Sequence, residues 1–112
     1  MIIYHITSKL EWENAQAGEN YLSPSLKEEG FIHCCTEKQV AAVSQMYYKG
    51  VQGLVILSVD SARLNVECRY EDSHANGELF PHIYGPLPIK AVLKAAPFSP
   101  GLNGLAEWSD AA

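Results

Sequence analysis

The stretch Gly53 to Asp60, GLVILSVD, is apolar at almost every position, and few places in a fold accept such a run. A strand with one wet face would alternate, so an unbroken run of β-branched and aliphatic residues indicates a central strand covered on both faces. With 112 residues the chain has the length of one domain, residues 1–112, and one core must hold whatever chemistry it performs.

Around that strand the chain reads as alternating short elements. Ile2 to Ile6 is an apolar strand with Ile2, Tyr4 and Ile6 on one face and Ile3 and His5 on the other. Ser8 followed by Glu11 makes a capping box, which opens a helix running to about Ala17 before Gly18. ENYLSPSLKEEG is a polar loop with one helical turn over Ser25 to Glu29. Gly30 punctuates it, and FIHC is a brief strand. Thr36 and Gln39 form a second capping box, opening a helix of about a dozen residues with Val40, Val43 and Tyr47 in its apolar stripe. NVECRYE is expected beside the central strand, IKAVLKAAPFS forms a last strand, and the tail from Pro100 is expected to be irregular surface. This order predicts an α+β fold with a mainly antiparallel sheet and two main helices.

Composition narrows the function. The apolar fraction of 47% and charged fraction of 19% are those of a folded globular chain. No apolar run approaches the roughly 20 residues that span a bilayer, so no membrane association is expected. The start MIIYHITSKLEW lacks a basic region, long apolar stretch and cleavage site, which reads as cytoplasmic. A net charge of -5 with no Lys/Arg cluster argues against broad nucleic-acid binding. Cys34, Cys35 and Cys68 are odd in number, and neighbours on a strand face opposite sides. Free thiols in a reducing compartment are therefore expected, with Cys34 packed against the second helix. Nothing in the composition fixes an oligomeric state.

Two blocks place histidines in apolar company: GFIHCC, Gly30 to Cys35, and FPHIYGP, Phe80 to Pro86. Three chemistries can be written for them. His5, His33, Cys34 and His82 are potential zinc ligands, although no pair has the short spacing typical of zinc sites. A thiol nucleophile beside His33 would need Cys35, which shares its face, and a means of lowering the thiol pKa that the sequence does not offer. Polar tips on short apolar strands otherwise converge into a ligand pocket. His5, His33 and His82 would line it, Phe80 and Tyr84 would stack on a planar ring, Arg69 would supply an anion donor and Glu71 a carboxylate.

With YHIT, GFIHCC and FPHIYGPL, together with Trp12, Gln39 and Glu71, nearly the whole chain resembles the bacterial family called domain of unknown function 952. The family usually carries Ser where this chain has Cys35. That family is similar to the ADP-ribosyltransferase-like superfamily, which includes RNA 2′-phosphotransferases and toxin-type transferases. The resemblance implies a split, mainly antiparallel sheet with NAD, as substrate, in the cleft between its halves. It also implies His5 on the adenosine-side ribose, Phe31 and Tyr84 framing nicotinamide, His33 in the middle block, and Glu71 or His82 as the catalytic group assisting nicotinamide departure. Arg63 and Arg69 are the only arginines, which speaks against an RNA substrate. The expectation is an NAD-binding, ADP-ribosyltransferase-like enzyme acting on a small molecule or protein. The alternatives are a nucleotide or small-ligand binding module without turnover, and a histidine metal site.

Overall fold

The computed structural model describes residues 1–72 and 75–100. Its centre is β4 (Leu54–Asp60), flanked antiparallel by β1 (Ile2–Ser8) and β8 (Val92–Phe98). Register runs from Ile2 opposite Asp60 to Ser8 opposite Leu54 on one side, and from Leu54 opposite Phe98 on the other, with an irregularity at Ser58/Val59. The apolar run is explained by what covers it. Val55, Leu57 and Val59 enter one cluster with Ile3, Trp12 and Ile83, while Leu54 and Ile56 enter a second with Tyr4, Val40 and Phe98.

The first helix, α1 (Lys9–Ala15), is capped by Ser8, whose hydroxyl accepts from the Glu11 amide. It buries Trp12 and stops two residues before the expected end, where Ala17 and Gly18 tighten to amide bonds three residues back. After β2 (Asn20–Tyr21), α2 (Pro24–Glu29) has Ser23 as cap, Pro24 in its first turn, and Gly30 at φ 89° as C-cap. That left-handed turn feeds the chain into β3 (Ile32–His33). The Thr36/Gln39 capping box is complete, but its first turn, Glu37–Gln39, is 3₁₀ before α3 (Val40–Tyr47) begins.

A second three-stranded sheet has the order β3, β6 (Phe80–Tyr84), β5 (Glu67–Glu71), and β2 pairs with β7 (Leu87–Pro88). All pairs are antiparallel. The architecture is thus α+β, with three short α-helices among the described residues. NVECRYE does not neighbour the central strand, because both edges of β4 are occupied; the 3₁₀ turn Ser61–Arg63 instead carries the chain to β6. The expected irregular tail lies, beyond Pro100, outside the described residues.

The two larger sheets meet at an isolated bridge. Tyr4 and Cys35 exchange both amide–carbonyl bonds at 2.8 Å. Cys34 and Cys35 do face opposite ways, but Cys35 is the one packed with Val40 of α3, whereas Cys34 joins the cluster of Ile3 and Trp12. All three cysteines are free.

Candidate functional site

The register of the second sheet sorts its residues. Ile32, Ile83 and Cys68 pair across the face that enters the core, so His33, His82 and Arg69 are aligned on the other face, with Glu71 opposite Phe80 and Glu67 opposite Tyr84. Beside the Tyr4–Cys35 bridge opens a cleft of about 790 Å³, within the range of small-molecule sites. Its wall includes His5 and Thr7 from β1, His33 and Cys35 from the β3 end, and Phe80 and His82 from β6. The structure thus brings the histidines of the two blocks, His33 and His82, to one cleft with His5.

His82 is 1% exposed. Its Nδ1 lies 2.9 Å from Glu71 Oε1, and the same oxygen accepts the Tyr84 hydroxyl. A carboxylate only accepts, so in the neutral form of the ring the proton sits on Nδ1 and Nε2 is left bare. That Nε2 is buried without a hydrogen-bond partner among the described residues. The ring is fixed by stacking on Phe31, centroids 4.1 Å apart at 18°, and by the edge of His33 at 5.3 Å. The Tyr84 and then the His82 hydrogen bonds hold the Glu71 carboxyl below the usual carboxylate range, and the Glu71 bond raises Tyr84.

His5 is occupied differently. Nδ1 donates to the His33 carbonyl at 2.5 Å, and Nε2 lies 2.9 Å from the Tyr21 hydroxyl. Tyr21 reaches Thr7 Oγ1 at 2.8 Å, and Thr7 donates to Glu11 at 3.0 Å. Burial lowers the His5 pKa to about 4 against the favourable carbonyl bond, so the ring is neutral. Burial also pushes Tyr21 up to about 12. Both ring nitrogens thus lie at hydrogen-bond distance from protein groups, the His33 carbonyl and the Tyr21 hydroxyl.

Other expectations separate. Phe31 and Tyr84, expected to frame a nicotinamide, have ring centres 5.4 Å apart, and Phe31 stacks on His82. Arg69 pairs with Glu67 at 2.8 Å and lies over the Tyr84 ring at 4.6 Å, away from the cleft wall. Glu71 also lies behind that wall and reaches the cleft only through His82. His33 turns its ring out to Glu29 at 2.8 Å, half exposed. Among the described residues no three His, Cys, Asp or Glu side chains are grouped to hold a metal ion. The thiol reading also fails on chemistry, since burial pushes Cys35 up to about 12 and Cys34 well above its ordinary value. Sequence reasoning missed Thr7, Glu11 and Tyr21. The available signals were Thr7 on the His5 face of β1 and Glu11 four residues beyond it.

A buried imidazole oriented by a carboxylate at the wall of a cleft is the arrangement of a general base or a hydrogen-bond acceptor, and the fold around it is a two-sheet antiparallel α+β domain. Residues 6–95 match the family described as protein of unknown function (DUF952), and the chain belongs to that family. It is similar to protein CC0527 from Caulobacter crescentus: its crystal structure is 30% identical, with a TM-score of 0.84 over 96% of this chain and 94% of that one. The solution NMR structure of the same protein is 31% identical, with a TM-score of 0.77 over 93% and 90%. No curated protein matches the chain. No helix among the described residues is long and apolar enough to cross a membrane.

Proposed function

We propose that the cleft binds a small molecule and that His82 Nε2 is the group that meets it, as general base or hydrogen-bond acceptor, with Glu71 fixing the tautomer. The observation that carries this reading is the buried, unpartnered Nε2 of a ring whose other nitrogen is held by a carboxylate. A buried acceptor without a partner costs stability, and a ligand donor would relieve that cost. Glu71 acts through His82 and is a positioning residue, which divides between them the catalytic assignment made to both.

ADP-ribosyltransferase-like chemistry on NAD is the sharper form of the proposal. In its favour are the family resemblance, the antiparallel sheets beside a cleft and the first-strand histidine in its wall. Against it stand the engaged nitrogens of His5 and a wall without Lys or Arg to meet a pyrophosphate. The broader small-molecule reading is therefore the better supported one, and it covers turnover and binding alike. We also infer a cytoplasmic setting, which three free thiols fit.

The test is an amide- and imidazole-resonance titration with NAD, ADP-ribose and nicotinamide at millimolar concentration, paired with an assay for nicotinamide release by wild type and His82→Gln. Movement of His82 resonances supports the site, and release lost in His82→Gln supports the transferase form. Ligand-induced shifts confined to residues outside the cleft would remove His82 from the function, and silence toward both NAD and ADP-ribose would remove NAD.

A further inference from the structure

The charge and ring content of the cleft go further than its location. Glu11, Glu28 and Glu29 all contribute to its lining, no Lys or Arg does, and Tyr47, Tyr48 and Phe80 supply aromatic surface. The whole chain carries a formal charge of -5, so no distant excess of positive charge offsets this rim. His82 lines the same cleft, 1% exposed, and its buried Nε2 has no hydrogen-bond partner among the described residues and in the neutral ring can only accept.

We infer that the cleft takes an organic ammonium or guanidinium cation, a deduction that rests on the cleft being the ligand site. Carboxylates favour a cation and repel an anion, aromatic rings attract a cation through their negative faces, and a cationic N–H is a donor for a lone pair that has none. Each feature separately has an ordinary explanation; Glu11 accepts from Thr7 and Glu29 pairs with His33. A fully ionised phosphate or carboxylate group has no hydrogen to donate to a bare Nε2 and would sit beside three carboxylates with no basic side chain in return. An amine satisfies the acceptor, the rim and the rings together.

Benzylamine, benzyl alcohol and benzoate share a ring and differ in charge, which makes them suitable probes for a titration followed on the amides and histidine rings of the full chain. Benzylamine is expected to shift cleft residues, including His82, with millimolar affinity, benzoate to bind about tenfold or more weakly, and benzyl alcohol to fall between. The Glu28→Gln/Glu29→Gln double variant, which removes two of the three lining carboxylates, should weaken benzylamine about three- to tenfold and benzyl alcohol far less. Benzoate or NAD binding at His82 more tightly than benzylamine would overturn the cation inference and leave the ligand site standing. If none of the three probes moves a cleft resonance at tens of millimolar, the inference and the ligand site fall together.

Discussion

The Nδ1 atom of His5 lies 2.5 Å from the carbonyl oxygen of His33, so a side chain on the edge of the β1–β4–β8 sheet closes a bond to the edge of the β3–β6–β5 sheet. One residue earlier, Tyr4 and Cys35 exchange two backbone bonds. His5 therefore locks the junction beside which the cleft opens. Replacing it with Ala strips a partner from the His33 carbonyl and from Tyr21 and leaves a cavity, and a loss of about 2–4 kcal/mol is expected in urea unfolding. A variant as stable as wild type would show that the junction does not depend on the ring.

The same burial gives a pH dependence of known sign. The His5 pKa falls from 6.5 to about 4, so between those values the unfolded chain binds a proton that the folded one does not. Stability from this group is complete above about pH 6.5 and is lost as pH falls toward 4, by roughly 3 kcal/mol in total. Unfolding measured across that window should slope accordingly, and the slope should diminish in His5→Gln. Equal slopes in the two proteins would assign it to other groups.

Gly85 tests the packing that holds the end of β6. A Cβ there would stand 2.5 Å from Val66 Cγ1 and 2.9 Å from Val66 Cβ, a contact that the branched side chain cannot swing away to relieve. Gly85→Ala should cost about 1–3 kcal/mol, and adding Val66→Ala should recover part of it. Thermal denaturation of both variants checks this. Additive losses would show that the two residues are not in contact.

Thiol labelling should follow burial. Cys68 is partly exposed, whereas Cys34 and Cys35 are buried and burial raises both thiols. A disulfide reagent at pH 8 should therefore label Cys68 first, and the adjacent pair only on the timescale of unfolding. Early modification of Cys35, read by peptide mass, would contradict its packing against Val40.

Local features of the sequence translated into structure where the physics is local. Ser8 and Thr36 cap the helices they precede, Gly30 ends α2 in a left-handed turn, and the apolar run at Leu54 sits between two clusters. Parity along strands was equally readable: Cys34 and Cys35 do face apart, and Phe80, His82 and Tyr84 share a face. Parity does not say which sheet a strand joins or which face meets which helix. Hence β5 was expected beside β4, and Cys34 was expected where Cys35 lies. The candidate site divides along the same line. The histidine blocks marked the cleft, but the partners that assign roles to His5 and His82 arrive from far away in the chain: Tyr21 is 16 residues from His5, and Glu71 is 11 from His82. A short-range pattern carries no information on such pairings.

The account turns on one proton. Long-range proton–nitrogen correlation of the His82 ring, recorded where the imidazole is neutral, reads directly which nitrogen carries it. With Glu71 accepting from Nδ1, the predicted spectrum shows Nδ1 protonated and Nε2 bare, and Glu71→Gln should erode that preference. A proton found on Nε2 in the wild-type ring would contradict the base or acceptor role assigned to His82, and the proposed function with it.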